Sequence, residues 1–561
     1  MKPLLRFTTI VFVLIVFCSM SPGENSPPPS LAAARAALMR GDSAGAARIV
    51  EAVVAREPKN AAAWRFLGNA SKQTKNYSRA LEAFQRALAL DPSNPGPIYQ
   101  IGTVYALQGA RDAAFRSLSK AKKTGRIDMT QIETDPALAS LKNDRRFRDL
   151  LPSRADFDHP FVEPVKIVRE WDGEHAGDQF GWIARAIGDV DGDGVVDVVT
   201  SAPTYGANGS SAGRVYVYST ASGKLLWSSD GQAQDQLGTG IEAAGDTNGD
   251  GIPDVIASAP GSGRAYVYSG NNGKILLTLN AEARQDLFGR HVSGAGDVDH
   301  DGYADVIVGA PGNSAGGNGA GRAYVFSGKD GHLLLTLTGE HAGDGFGSTV
   351  AGWTDKNRTL LIVGAQTAGP SHHGRAYVYD SVTPKPKFVL DADDTGAALA
   401  QMFVTVIGDV DGDGMPDVYA SDWSNAAKGP STGRVYVASG ATGHLLHVFT
   451  GETAGEGFGT SSSIAGDIDG DGHADLAVGA WQYSRVAIGG GRIYVYSGKD
   501  GNLLHTFTSR IPGDTLGFDS VGLGDVDGDG AFDYLVTSAW SGVHGFHSGR
   551  VFIISSAERK R

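Results

Sequence analysis

Aspartates spaced at positions 1, 3, 5 and 9 of a short glycine-bearing stretch recur six times in this sequence. The sets are Asp189, Asp191, Asp193 and Asp197; Asp246, Asn248, Asp250 and Asp254; and Asp297, Asp299, Asp301 and Asp305. They continue as Asp409, Asp411, Asp413 and Asp417; Asp467, Asp469, Asp471 and Asp475; and Asp525, Asp527, Asp529 and Asp533. Carboxylates this crowded repel one another unless a cation sits among them. Gly at position 6, present in all six, permits the sharp turn that aims alternate side chains inward. Hard oxygen donors at this density favour Ca2+ over Zn2+, which takes nitrogen or sulfur, and over Mg2+, which keeps its waters. The expectation is therefore up to six Ca2+, with the position-7 carbonyl as a further ligand. An EF-hand would need an acidic residue at position 12 between two helices. Thr200, Ala257, Val308, Ala420, Val478 and Val536 stand there instead, each inside a β-rich run. These are hairpin loops. A fourth copy around Asp355 puts Lys356 and Arg358 where carboxylates would be, and no ion is expected in it.

The elements that must carry these loops repeat with them. Counting the fourth copy, the anchors Asp189, Asp246, Asp297, Asp355, Asp409, Asp467 and Asp525 are 51 to 58 residues apart. Nine residues before six of them stands a bulky residue followed by Gly: Phe180, Leu237, Phe288, Phe346, Phe458 and Leu516; the fifth copy has Ala400-Gln401. Each copy later carries Gly-Arg and an alternating run, at Arg214, Arg264, Arg322, Arg375, Arg434, Arg492 and Arg550. Every copy thus offers four short β-rich runs separated by turn signals. Seven such sheets in tandem, each covered by its neighbours, predict a seven-bladed β-propeller over residues 164–555. The seventh copy ends after its third run, whereas residues 164–171 look like a fourth run without a blade. The phase predicts that this early strand pairs with residues 551–555, closing the ring and removing its free edges.

The first third is different. Only 8 of the 78 glycines fall in residues 1–150. Pro58 and Pro92 are 34 residues apart, and Trp64, Leu67, Gly68, Ala80, Phe84 and Ala87 lie between them at the offsets of the tetratricopeptide repeat, which this region resembles. Weaker copies flank it. Residues 31–151 are expected to form an all-α solenoid, with one further amphipathic helix over 135–151 as its cap. Arg40-Gly41-Asp42-Ser43 falls between two helices of the first repeat and reads as turn chemistry. Lys2 and Arg6 followed by an apolar run from Phe7 to Met20 predict an export signal over residues 1–23, with an uncleaved anchor as the alternative. A Pro/Ser-rich linker at 24–30, a linker at 152–163 and a basic tail at 556–561 complete the map.

Composition sets the outer limits. A formal charge of −13 speaks against a nucleic-acid binder. The one cysteine, Cys18, lies in the signal, so the mature chain has no disulfides. The two G-x-S-x-G strings, at residues 209–213 and 312–316, do not join a strand to a helix as a nucleophile elbow requires. With no H-E-x-x-H, P-loop or cysteine nucleophile, the chain is expected not to be an enzyme.

The bulky-Gly pairs, the acidic loops and Gly309-Ala310-Pro311 together resemble the FG-GAP repeat family, whose best-known members are the N-terminal propellers of integrin α subunits. The resemblance implies an extracellular, calcium-binding propeller that engages partners, with the calcium ligands carried over to the six loops and not to the fourth. Loops between strands 2 and 3 lie on the face away from the acidic loops. They hold Tyr205, His372, His373, Trp423, Trp481, Tyr483, Trp540, His544 and His547, which either meet a partner or pack at the blade tops. The reading is an exported binding or adhesion scaffold for a protein or glycan, with a second protein or peptide in the helical groove and membrane contact only through an uncleaved anchor. The alternative is a polysaccharide lyase or hydrolase working on that same face.

Overall fold

The computed structural model describes residues 29–355, 358–380, 382–461 and 466–556. The expected signal and residues 557–561 of the tail lie outside the described residues. Among those described, no helix is long and apolar enough to cross a membrane.

Six α-helices open the chain: α1 (Leu31–Met39), α2 (Ser43–Arg56), α3 (Ala61–Gln73), α4 (Tyr77–Leu90), α5 (Gly96–Leu107) and α6 (Arg111–Lys122). Ser30, Asp42, Asn60 and Asn76 cap α1 to α4, each side chain accepting a backbone N–H of the first turn. Asp42 of the Arg-Gly-Asp string is thus an N-cap, bonded to the Gly45 N–H at 2.6 Å. Val50, Val53, Leu67 and Phe84 are buried between the helices. At Gly68 a Cβ would stand 2.5 Å from the Phe84 ring, so only glycine allows α3 and α4 to approach this closely.

The chain divides into two compact units between Val104 and Tyr105, inside α5. The helical region expected to run to residue 151 therefore separates earlier. Residues beyond 104 pack with the propeller: the Ile488 N–H bonds to the Arg126 carbonyl at 3.3 Å, and Phe157 is buried with Ile511 and Val543. The helix expected over 135–151 is two 3-10 turns, Pro136–Leu141 and Arg145–Leu150. Asp135 and Asp144 each accept a local N–H and start a new turn, which breaks the α-helix that the apolar spacing suggested. Leu138, Leu141, Phe147 and Leu150 still face inward.

Seven antiparallel sheets follow. Six have four described strands and the sixth has three, residues 462–465 lying outside the described set. In the first blade the strands are Ala184–Gly188, Asp197–Ala202, Arg214–Tyr218 and Leu225–Asp230. The closing strand, Val165–Asp172, completes the seventh blade by pairing antiparallel with Arg550–Ser556, with Val165 opposite Ser556 and Trp171 opposite Val551. Second strands such as Asp197–Ala202 are buried throughout. The apolar clusters join neighbouring blades: Val199, Val215 and Val217 of the first pack with Ile241, Val255 and Ala257 of the second. Each fully buried side chain of this size stabilises by about 1.5–3 kcal/mol.

The bulky-Gly pair is the inter-blade joint. Phe346 is buried edge-on to Tyr377, centroids 5.3 Å apart, and Gly347 (φ +84°) sits where a Cβ would be 2.1 Å from the Arg322 carbonyl oxygen. In the fifth blade the equivalent pair is Leu399-Ala400, not Ala400-Gln401. Leu399 bridges Gly374 as Phe346 bridges Gly321, and Ala400 takes the left-handed conformation at φ 58°. The joint is thus one residue earlier than the spacing indicated.

Candidate metal centres

Each acidic loop is organised by its first aspartate. In the first blade, Asp189 Oδ1 accepts the N–H groups of Gly192 (2.7 Å) and Asp193 (3.1 Å), and Oδ2 accepts that of Gly194 (2.8 Å). Asp197, fully buried at position 9, accepts the Val190 N–H at 2.9 Å and, from the loop between strands 3 and 4, the Thr220 N–H at 3.2 Å. That last bond places the two loop types on one face. Position-6 glycines such as Gly194 (φ +86°) have no neighbour within 4 Å of a built Cβ, so backbone conformation rather than crowding selects glycine there.

Five loops bring one carboxylate oxygen each from positions 1, 3 and 9 within 4.8 Å of one another. These are Asp189, Asp191 and Asp197; Asp297, Asp299 and Asp305; Asp409, Asp411 and Asp417; Asp467, Asp469 and Asp475; and Asp525, Asp527 and Asp533. Such all-oxygen clusters can hold a hard divalent cation. In the second loop Asn248 replaces a carboxylate, and its Nδ2 donates to Asp254 Oδ2 at 3.3 Å. In the fourth blade Asp355 and Arg358 pair across a hairpin and form a salt bridge at 3.1 Å; Lys356 lies outside the described residues. Burial, with neighbouring aspartates of the same loop, pushes Asp197, Asp305, Asp417 and Asp533 up to about 6 against opposing backbone hydrogen bonds.

Two loops depart from the pattern in instructive ways. His300 stands at position 4 with φ 61°, where the other five loops have glycine. We expect His300→Gly to raise stability by about 1 kcal/mol by relieving a left-handed non-glycine residue, measured by thermal or urea unfolding. In the seventh blade strands 3 and 4 are Arg550–Ser556 and Val165–Asp172, which no short loop joins. Asp533 Oδ1 has no hydrogen-bond partner among the described residues. Lys166 of the closing strand instead reaches Asp527 Oδ2 at 2.5 Å and Asp529 Oδ2 at 2.6 Å.

On the opposite face the aromatic residues singled out from sequence have several fates. Tyr205 and Tyr483 are buried beneath Arg214 and Arg492, with guanidinium-to-ring distances of 4.0 and 4.2 Å, so their rings are not available to a partner. Trp423 is half-buried and donates to Gln401 Oε1 at 3.0 Å. His372 and His544 are exposed, the latter 3.4 Å from Asp172, and His373 is half-buried. Trp481, Trp540 and His547 come together: Trp481 lies 4.8 Å from Trp540, which stacks on His547 at 4.8 Å. Burial lowers the His547 imidazole to about 4. Trp182 and Phe518 join this cluster; both follow a bulky-Gly pair, a signal the sequence reading did not use.

The Gly-Arg arginines mark the repeat in the sequence, but their ion pairs join residues too far apart for any spacing to show. Arg214 bonds Asp230 on the next strand and Glu174 from the loop joining blades. Arg375 repeats this with Asp391 and Glu340, and Arg492 with Glu452. The motif is a clamp between blades.

The FG-GAP repeat model matches residues 180–218, 240–277 and 288–326, and an FG-GAP-like repeat model matches 409–478. A tetratricopeptide repeat model matches residues 31–95. Similar proteins include integrin alpha-4 of Xenopus laevis, 30% identical over 193 residues, which are 32% of this chain and 18% of that protein. Integrin alpha-6 of Homo sapiens is 31% identical over 185 residues, 31% of this chain and 15% of that protein. Integrin alpha pat-2 of Caenorhabditis briggsae is 31% identical over 236 residues, 36% and 19% respectively. The chain thus matches under a fifth of the length of these relatives. Its N-terminal helices are similar to tetratricopeptide repeats, and its seven-bladed β-propeller, with FG-GAP matches in several blades, is similar to part of the integrin α chains.

Proposed function

We propose that the chain is an exported, calcium-binding scaffold that engages a protein or glycan through the propeller face opposite the acidic loops, while the helical repeats recruit a second protein. The observation that carries this reading is the repetition of the carboxylate clusters on one face of the ring. Six Ca2+ would occupy the loops anchored by Asp189, Asp246, Asp297, Asp409, Asp467 and Asp525, cross-linking strands 1 and 2 of six of the seven blades. On the face left over, the part-exposed Trp540 and His547 stack on each other above the buried Trp481 and Phe518, and these two rings are suited to stacking contacts. The test is a screen of the full chain against glycan and protein arrays with calcium and with EDTA, read for binding and for product release. Calcium-dependent binding that falls when Trp540 is changed to Ala supports the scaffold; turnover of a polysaccharide would replace it with an enzyme.

Charge count orders the loops. The second has three carboxylates and one amide, so it should bind calcium most weakly, and Asn248→Asp should tighten it by about tenfold, read by calorimetric titration. Protons compete with the metal. The position-9 aspartates near 6 lie above the ordinary value near 4, so without metal their contribution to stability is present below about pH 4 and lost as pH rises through about 6. Calcium requires the deprotonated form, and its affinity rises over the same window. The EDTA-treated protein should melt higher at pH 5 than at pH 7, and the calcium-loaded protein lower.

A further inference from the structure

Between α6 and the closing strand the chain lies against the propeller without filling all the space there. Three stretches, within residues 122–129, 152–159 and 510–512, line a cavity of about 350 Å³, a size usual for small-molecule sites. All three belong to the second compact unit. Ile127, Met129, Phe157 and Ile511 are buried and give the cavity an apolar wall. Most of the charges on that wall are already engaged. Lys122 donates from Nζ to the carbonyls of Asp149 at 2.9 Å and Leu151 at 2.7 Å. Asp156 accepts the Ser153 N–H at 2.7 Å, and Arg510 donates to the Val162 carbonyl at 3.3 Å.

Asp128 is the exception. Its Oδ1 accepts the N–H of Thr130 at 2.8 Å and the hydroxyl at 2.6 Å, which fixes the side chain. Its Oδ2 has no hydrogen-bond or ion-pair partner among the described residues. That oxygen lies 3.0 Å from where a Cβ on Gly513 would stand, next to Pro512 of the wall. Glycine at 513 is what lets the turn close down on Asp128, since its Cβ would be 2.7 Å from that of Asp128. Burial pushes the Asp128 carboxyl up to about 6 against the Thr130 hydrogen bonds, and Asp514 and Glu133 add to the rise. Asp514 itself has only the hydroxyls of Ser509 and Ser538 on its Oδ2. A half-paired carboxylate on an apolar wall, in the field of two more acids, lacks a cationic donor.

We propose that this cavity binds a primary amine with an apolar body, its ammonium donating to Asp128 Oδ2. The apolar wall takes the body, and the pliant Met129 side chain adapts to its shape. An ammonium suits the site better than a guanidinium, because Oδ1 is taken and one oxygen cannot receive a fork. An anion would add to the charge of three acids, and a neutral alcohol would leave that charge uncompensated. The amine is a free small molecule or a partner's lysine side chain. The site goes beyond the scaffold reading and needs neither the acidic loops nor the Trp540 face.

The test uses the calcium-loaded full chain with 13C-methyl methionine, titrated at neutral pH with benzylamine and with benzyl alcohol, which share a shape and differ in charge. The Met129 methyl signal, assigned with Met129→Leu, should move saturably with benzylamine, and benzyl alcohol should bind at least about tenfold more weakly. That comparison needs no variant of the site. Asp128→Asn keeps the Oδ1 acceptor for Thr130 and removes the charge. It should melt like the parent, weaken benzylamine at least about tenfold and leave benzyl alcohol within about twofold. Asp156→Asn, at a carboxylate of the same wall that is already capped, should leave both affinities unchanged. Nα-acetyl-lysine amide separates the sources: tighter binding than benzylamine assigns a partner's lysine, and weaker binding a free amine. An unmoved Met129 signal, equal affinity for the two benzyl probes, or an unchanged benzylamine affinity in Asp128→Asn would overturn the site.

Discussion

EDTA should lower the melting temperature of this protein by about 10 °C relative to 1 mM calcium. For extracellular-type sites with Kd near 10⁻⁴ M, each occupied loop adds about 1.4 kcal/mol at 1 mM, and six add about 8 kcal/mol. At ~2.1 cal/mol/K of unfolding entropy per residue, a ring of roughly 390 residues moves by about 10 °C. The effect follows from what the loops contain. Among the described acidic loops, position-9 carboxylates such as Asp197 and Asp417 are fully buried beside their neighbours, and the mature chain is expected to have no disulfide to share the load. Scanning calorimetry with calcium, with EDTA, and with calcium restored checks it. A melting temperature unmoved by EDTA would mean that the carboxylates tolerate one another without an ion.

The second large effect concerns ring closure. Arg550 is fully buried. Its Nε donates to Asp172 at 3.1 Å, its Nη2 to Glu170 and its Nη1 to the Phe157 carbonyl at 3.2 Å, with the guanidinium 4.6 Å from the Phe552 ring. Glu170 and Asp172 belong to the strand that completes the seventh blade. Arg550→Met should therefore cost about 2–3 kcal/mol, because two partly exposed carboxylates lose a buried counter-charge and keep only Arg154. The second blade supplies the control: Arg264 is exposed and has no ion pair among the described residues, so Arg264→Met should cost under about 0.5 kcal/mol. Adding Glu170→Gln and Asp172→Asn to Arg550→Met should return part of the loss. Equal costs at Arg550 and Arg264 would show that the clamp does not hold the closing strand.

Period and phase make most of the fold legible in the sequence. The spacing of Asp189, Asp246 and their equivalents counts the blades, and a fourth strand missing after Ile554 but spare at residues 164–171 points to closure. Local register was harder. The fifth-blade joint lies at Leu399-Ala400 because Ala400 tolerates a left-handed conformation that elsewhere falls to glycine. The apolar spacing over residues 135–151 correctly marked the buried side, but Asp135 and Asp144 redirected the backbone. The candidate loops were legible because all their ligands lie within nine residues. The buried pair of Arg185 and Asp519 was not: they are 334 residues apart in sequence, and no spacing rule joins them. Tyr205 and Tyr483 look like exposed loop aromatics until Arg214 and Arg492 are seen lying on them.

The most direct measurement is an isothermal titration of calcium into the full chain after demetallation at neutral pH. Heat with a stoichiometry of six is expected, falling to five when Asp417 is changed to Ala. An absence of heat together with no calcium retained in equilibrium dialysis would contradict it.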